Sequence, residues 1–174
     1  AKRSSTTLDD DEFLRNHWIM YFDHNRDTQK TIRNIDFARD LLTNKFTAQD
    51  ARTGELIIED IRRYVDSLRK SIIPWFTINF PHDDAVEQPD ELRHWIGLIN
   101  EIRESSFFRP ILLALLQLPV STEEQIVVLK AIERHEFLVT ALVKSRATAN
   151  RPHFWRQANR FHEHDISIDD LVHD

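Results

Sequence analysis

Hydrophobic and polar positions follow a helical period along most of the chain. Between Phe107 and Val143 the pattern predicts two helices joined by a tight connection. In the first helix a single polar residue, Gln117, interrupts an apolar run, which is typical of a helix covered by protein on nearly every side. The apolar positions are Ile111, Leu112, Leu113, Ala114, Leu115, Leu116 and Leu118. We therefore expect this helix pair to form the centre of the fold.

Helix start and stop signals frame both members of the pair. Pro110 lies near the start of the first helix, where it removes no needed hydrogen bond, and Pro119 comes where that helix must stop. Ser121 with Glu124 three residues later is a capping box, so a second helix is expected to begin there. Its apolar face is expected to comprise Val128, Leu129, Ile132, Val139, Leu142 and Val143.

Five other amphipathic segments predict helices. They cover residues 13–22, 35–46, about 56–73 and 89–105, and a short last helix begins at Ser167. The acids Asp9, Asp10, Asp11 and Glu12 precede the first of them, as is common where the amide end of a helix is partially positive. The fold class predicted is all-α, a single helical domain of seven or eight helices over residues 9–174, after a flexible or disordered segment at residues 1–8.

The helix from about Leu56 carries the longest apolar stripe outside the central pair. Its inner face is predicted to comprise Ile57, Ile61, Val65, Leu68 and Ile72 or Ile73. Pro74 is expected to bend or end this helix, because a proline inside a helix removes a backbone hydrogen bond. Residues 75–80 are then helix or extended linker.

Composition supports helices and excludes several chemistries. The 174 residues contain two glycines, which argues against hairpins and against glycine-rich nucleotide loops. With no cysteine there is no disulfide, thiolate metal site or cysteine nucleophile. No secretory or membrane signal is readable, so we expect a cytoplasmic protein that does not enter the membrane. Because the chain begins at Ala1 without methionine, we also expect it to be an excerpt of a larger multidomain protein.

Candidate catalytic and metal sites are weak. The one cluster with metal-ligand character combines His162, Glu163, His164 and Asp165 with His153 and His173. Two histidines separated by one residue point away from each other on a helix, so a solvated polar helix end is the simpler interpretation. His17 beside Trp18 is interpreted as a partly buried structural histidine. We therefore expect no catalytic residue, no metal and no cofactor in this chain.

A basic segment near the C-terminus is the better candidate for a function. Residues 144–164 contain five cations and one acid, although the whole chain carries a net charge of −6. The candidate nucleic-acid contacts are Arg146, Arg151, Arg156 and Arg160, with Trp155 or Phe161 as a stacking surface. The alternative, which we favour, is that these arginines solvate the surface or pair with acids of neighbouring segments.

Three stretches resemble a known family. They are FLRNHW at residues 13–18, SFFRPILLALL at 106–116 and LKAIERHEF at 129–137. In these stretches, and over most of residues 10–145, the chain resembles the helical middle region of GmrSD-type proteins. Those are large bacterial proteins with an N-terminal ParB-like domain and often a C-terminal His-Asn-His nuclease domain. Members include modification-dependent restriction endonucleases that act against phage DNA.

The resemblance implies a scaffold rather than an enzyme. This chain has neither the Asp-Gly-Gln-Gln-Arg motif of the ParB-like domain nor a His-Asn-His site, so no catalytic residue is carried over. It implies a non-catalytic helical domain that positions catalytic domains encoded elsewhere in a parent protein. The expected partners are those domains, with DNA as an alternative partner for the basic segment. The oligomeric state is not predicted.

Overall fold

Helices account for the regular structure of the protein. A computed structural model describes residues 8–22, 45–102, 105–138 and 151–173. Over these ranges the chain forms eight α-helices and one 3-10 turn, with no strand. In order they are α1 (Asp10–Tyr21), α2 (Ala48–Thr53), α3 (Ile58–Asn79), α4 (Asp90–Glu101), the 3-10 turn (Ser105–Phe107), α5 (Arg109–Gln117), α6 (Thr122–Phe137), α7 (Arg151–His162) and α8 (Ile168–His173). The predicted all-α class is confirmed.

Some sequence predictions lie outside the described ranges. These are the flexible segment at residues 1–8, apart from its last residue, nearly all of the helix at 35–46, and the continuation of the second central helix to Val143. They stay predictions. The short helix α2 had not been predicted. It contains no buried residue, so no apolar face marks it in the sequence.

The central position predicted for the first helix of the pair is confirmed. In α5 every residue from Pro110 to Leu115 is buried, and Phe108 and Leu113 are fully enclosed. The helix packs against α1, α3 and α7, whereas α6 packs mainly against α4 and α8. Side chains of α5 and α6 still share one core cluster. The two helices therefore hold different neighbours around a common core.

Helix ends follow the sequence signals. The Asp9 carboxylate accepts hydrogen bonds from the backbone N–H groups of Asp11 and Glu12, at 2.9 and 3.1 Å. The predicted capping box closes at the start of α6, where the Glu124 carboxylate accepts from the N–H of Ser121 at 3.1 Å. The same arrangement at Ser167 begins α8. These contacts satisfy amide groups that a helix start otherwise leaves unpaired.

The orientation predicted for α3 is wrong. Its predicted inner positions Ile57, Ile61, Val65, Ile72 and Ile73 are between 40% and 70% exposed. Instead, the helix buries the neighbouring face with Tyr64, Ser67, Ser71, Trp75 and Ile78. Aromatic bulk at Tyr64 and Trp75 fills space beside α1 and α5, and the Ser71 hydroxyl donates to the Ser67 carbonyl at 2.9 Å. The serines can therefore be buried with their polar groups paired.

Of the two effects expected of Pro74, a bend or an end of the helix, the end does not occur. Helix α3 continues through Pro74 to Asn79 and is 22 residues long. Pro74 is itself buried, and the helix beyond it carries Trp75 and Ile78 into the main core. Packing of this last part offsets the backbone hydrogen bond that proline cannot make. None of the helices in the described ranges combines the length and apolar composition needed to cross a membrane.

Candidate functional site

The structure describes the side chains of only some of the four predicted arginines. Arg146 lies outside the described residues, and for Arg151 the structure describes the position at the start of α7 but not the side chain. Arg156 and Arg160 are exposed and, four residues apart, lie on the same side of α7. Of the four arginines, these two have described side chains that reach solvent.

Trp155 does not offer a stacking surface. Its side chain is 8% exposed and packs with Trp18, Ile19 and Tyr64 in a second core cluster. Phe161, the other predicted stacking residue, is 5% exposed and belongs to the main core. A base needs an open aromatic face. Both rings therefore hold α7 against the body of the protein, and we correct the proposed stacking role accordingly.

The surroundings of Arg160 are rich in carboxylates. Arg160 lines a wide, open cavity of about 1060 Å³ between α7 and the segments near α2 and α3. The charged lining residues described are three cations, Lys45, Arg63 and Arg160, and five acids, Asp50, Glu55, Asp60, Glu163 and Asp165. Carboxylates close to a basic side chain reduce its attraction for phosphate. This surface therefore fits pairing with acids better than contact with a nucleic-acid backbone.

Carboxylates also lie near Arg160 in a second cavity, which includes Asp170. The pKa of Asp170 is lowered, first because the backbone N–H and then the hydroxyl of Ser167 donate to its carboxylate, and further by the positive charge of Arg160. Arg160 and Asp170 line one shallow cavity together with Asp165 and Asp169. Three carboxylates therefore line the same shallow cavity as the last arginine of the basic segment.

The histidine cluster is not assembled as a metal site. Within the described ranges, no three side chains of histidine, aspartate or glutamate converge in a way that could hold a metal ion. His162 is largely buried, and its Nδ1 lies 3.1 Å from an Oε1 of Glu163. Burial lowers the pKa of His162 in spite of this carboxylate. His164 adopts a positive φ of 63° where the helix ends.

A second polar group lies inside the protein, at His17. The imidazole of His17 is fully buried, and its Nε2 is 3.0 Å from the Oγ of Ser67. Gln117 donates from its amide to the same hydroxyl at 3.3 Å and to the Ser67 carbonyl at 3.2 Å. Three side chains from α1, α3 and α5 thus meet at the Ser67 hydroxyl. We call these residues, His17, Ser67 and Gln117, the buried polar triad.

Aromatic rings enclose the histidine of the triad. The rings of Phe13, Tyr21 and Tyr64 lie with centroids 5.2 to 6.1 Å from that of His17. Burial lowers the pKa of His17 to about 3, and the charge of His162 acts in the same direction. The imidazole is therefore neutral at physiological pH. The predicted structural role agrees with this environment, although His17 is more deeply buried than the sequence indicated.

The buried polar triad is unsuited to catalysis. A histidine beside a serine is the arrangement that activates a hydroxyl nucleophile. Here, however, the histidine is inaccessible and Ser67 is only 8% exposed, so a substrate cannot approach the Ser67 oxygen. The contact joins three helices instead. No sequence signal identified Ser67, because it is polar and lies outside the apolar stripe of α3.

The apolar stripe of α3 is an unexpected exposed surface. Ile58, Ile61, Val65, Leu68 and Ile72 follow one another at intervals of three and four residues along α3. Ile58 and Ile72 are 58% and 56% exposed, Ile61 and Val65 are each 40% exposed, and Leu68 is partly buried. We call these five residues the α3 stripe. Branched aliphatic side chains in this spacing present a continuous apolar ridge to solvent.

These features define an all-α protein with a well-packed core, an internal polar triad and an exposed apolar helix face. Comparison with protein-family models, with curated proteins and with solved structures finds no match.

Proposed function

We propose that this chain is a non-catalytic helical scaffold that docks a helix from another protein segment on the α3 stripe. The observation that carries the proposal is the exposure of Ile58, Ile61, Val65 and Ile72 on one side of a 22-residue helix. Contiguous apolar surface of this kind is a feature of interaction sites. Anchors spaced by three and four residues are those that an amphipathic helix presents to a groove or to another helix.

The spacing of the α3 stripe favours a helical partner. Intervals of three and four residues repeat over two heptads, with isoleucine or valine alternating with isoleucine or leucine. This is the seam along which two helices pack knobs into holes. Covering one isoleucine or valine side chain contributes about 1.5 to 3 kcal/mol relative to leaving it in water. Because the four exposed side chains of the stripe are 40% to 58% exposed, covering each should contribute about half of this amount.

Charge beside the α3 stripe selects the partner. On its open flank lie Arg62 and Arg69, both exposed, whereas on the other flank Tyr64 and Ser71 are buried in the protein. Arg62 pairs with Glu59 at 3.4 Å, but both side chains are more than half exposed, so this pair is weak. A helix with carboxylates flanking its apolar seam would complement the two arginines.

A second copy of this chain complements the flank less well. In an antiparallel pair of α3 helices, residues of the open flank face each other, so Arg62 and Arg69 of one copy would meet those of the other. In a parallel pair, each arginine would need the opposite flank of its partner, which is buried at Tyr64 and Ser71. The partner we propose is accordingly an amphipathic helix with an acidic flank.

The resemblance to GmrSD-type proteins supports a more specific form of the scaffold proposal. If the chain is the helical region of a GmrSD-type restriction protein, the docked helix belongs to a catalytic domain of the same parent chain. The scaffold then orients that domain, and this chain alone catalyses no turnover. A reproducible nuclease or nucleotidase activity of the pure chain, abolished by a substitution within it, would overturn the non-catalytic assignment.

A peptide titration tests the docking surface. The probe is a fluorescent heptad peptide with isoleucine and leucine along its seam and glutamate on both flanks, and the control peptide carries lysine in place of glutamate. We expect saturable binding of the acidic peptide, weakened by about tenfold or more in an Ile61→Asp/Ile72→Asp variant. Val127→Asp is the matched control, because Val127 is 46% exposed and lies on α6, outside the stripe.

Reversing the two arginine charges tests whether the preference for the acidic peptide is electrostatic or whether binding is nonspecific apolar contact. In an Arg62→Glu/Arg69→Glu variant, the lysine peptide should bind better than the glutamate peptide. Circular dichroism verifies that each variant is folded. Equal binding of both peptides to the native chain, or binding unaffected by the two aspartates, would refute the proposal.

Site-specific cross-linking identifies the occupant directly. The chain has no cysteine, so Val65→Cys provides a single thiol for a photoreactive label within the stripe. A cross-link to the acidic peptide supports the proposal. A cross-link to a second copy, or to residues 23–44 of the same chain even with peptide present, would show that the stripe serves dimerisation or internal packing instead.

A further inference from the structure

A second surface feature, far from the α3 stripe in the chain, has the form of a small-molecule site. A partly enclosed cavity of about 340 Å³ lies between α5, α6, α7 and α8. Its walls include Ile111 from α5, Ala131 from α6 and Val172 from α8. This volume is within the range of ligand pockets, which are mostly apolar with a few polar groups. We call it the His135 cavity.

The polar groups of the His135 cavity are gathered around one ring. His135 and His153 each contact Phe154 edge to face, with ring centroids 4.9 and 5.7 Å apart, respectively. All three side chains line the cavity, together with Gln157. Both imidazoles therefore lie beside Phe154, whereas the lining residues from α5 and α8 are aliphatic. The cavity is amphipathic, with one polar end.

We propose that the His135 cavity binds a small apolar carboxylic acid, with its hydrocarbon part against Ile111, Ala131 and Val172 and its carboxylate at His135 and His153. The aliphatic walls favour a chain or ring of carbon atoms. Two imidazoles favour an anion, because each becomes a double donor once protonated. A neutral alcohol of the same length would gain the apolar contacts and one neutral hydrogen bond, but no interaction between opposite charges.

Charge supports an acid in preference to a base. The pKa of His135 is lowered because the side chain is partly buried and because His153 is close. A cationic ligand would lower the pKa of His135 further, whereas a carboxylate would stabilise its protonated form and raise the pKa. The described lining from α5 and α8 consists of Ile111, Leu171 and Val172, so the two histidines are the titratable groups that face the ligand. Binding of the acid should consequently take up a proton.

The proposal is tested with octanoate and octan-1-ol as matched probes, by calorimetry and by amide chemical shifts of the full chain. We expect saturable binding of one octanoate, with an affinity that rises by up to about tenfold per pH unit as the pH falls from 7.5 to 5.5. Octan-1-ol should bind more weakly and without this pH dependence. Chemical shifts should change around α6, α7 and α8.

Two pairs of variants test separately the volume of the cavity and the two histidines at its polar end. Ala131→Phe fills the cavity and should abolish binding of both probes, whereas Val127→Phe places the same ring at an exposed position of α6 outside the cavity. His135→Gln/His153→Gln should remove the preference for octanoate and its pH dependence, and His94→Gln at an exposed site of α4 should not.

Three results would overturn the proposal. They are no binding of octanoate, equal affinity for octanoate and octan-1-ol at every pH, and octanoate binding that survives Ala131→Phe in a folded variant. Helix α3 takes no part in the described lining of this cavity. The acid site therefore stands or fails independently of the docking surface.

Discussion

The Nε2 of His17 lies 3.0 Å from the Oγ of Ser67, and this contact joins α1 to α3 inside the core. Because the imidazole is buried among aromatic rings, its pKa is about 3 in the folded protein, compared with 6.5 for an unperturbed histidine. The unfolded chain therefore binds a proton at His17 between these values and the folded chain does not. Burial of the neutral imidazole therefore does not lower the free energy of unfolding above pH 6.5. The free energy of unfolding decreases as the pH falls from 6.5 towards 3.

We predict that this difference makes the protein sensitive to acid. Between pH 7 and pH 5, His17 alone should lower the free energy of unfolding by about 2 kcal/mol. His17→Gln retains a hydrogen-bonding side chain but does not titrate, so its stability should change less with pH. Urea unfolding at the two pH values measures this, with His94→Gln as the exposed control. An unchanged pH slope in His17→Gln would contradict the prediction.

The ion pair between Arg109 and Glu12 should stabilise the fold more than a surface pair. Its atoms Nη1 and Oε1 are 2.8 Å apart, the Arg109 side chain is 18% exposed, and its guanidinium lies 5.3 Å from the ring centroid of Trp75. A double-mutant cycle with Arg109→Met and Glu12→Gln should give a coupling energy of about 1 kcal/mol or more.

The pair Arg62 and Glu59 is the matched comparison. These side chains are 68% and 57% exposed, and their atoms are 3.4 Å apart. The same cycle with Arg62→Met and Glu59→Gln should give about 0 to 0.5 kcal/mol, because water and salt screen the charges. Equal coupling energies in the two cycles would show that the Arg109 pair gains nothing from its partly buried position.

Because α5 lies at the centre of the fold, shortening one of its buried side chains should strongly lower the free energy of unfolding. Leu113 is fully buried in the main core, so Leu113→Ala should lower the free energy of unfolding by about 2 to 5 kcal/mol. Ile73→Ala, at a position that is 70% exposed, should change it by about 0.5 kcal/mol or less. Chemical denaturation of both variants provides the comparison, and similar losses would place α5 outside the cooperative core.

Nucleic-acid binding through α7 should not occur. We expect Arg156→Gln/Arg160→Gln to leave any binding of labelled duplex or single-stranded DNA unchanged, because carboxylates surround Arg160 and the neighbouring Trp155 is buried. Fluorescence anisotropy at low and moderate salt measures this, with Arg62→Gln/Arg69→Gln as a control of equal charge. Saturable, salt-sensitive binding that disappears in the α7 variant alone would restore the nucleic-acid interpretation.

The sequence determined the helical class and most helix starts by itself. Capping at Asp9, Ser121 and Ser167 depends on contacts between residues two or three positions apart, so local sequence was sufficient to predict it. The burial of α5 was also readable, because a helix with apolar residues on nearly every side has no face suited to water. The same criterion gave no information about α2, which buries no residue.

Tertiary structure alone decided which side of α3 is buried and which residues meet across helices. The α3 stripe is the most apolar face of α3 in the sequence, yet the protein buries the side with Tyr64 and Trp75. The Tyr64 ring packs against α1, the Trp75 ring contacts both α1 and α5, and Ser67 finds partners in His17 and Gln117. Ser67 and His17 are 50 residues apart in the chain. Helical periodicity ranks faces by hydrophobicity, but burial depends on the shape and hydrogen bonding of the neighbours, which periodicity does not contain.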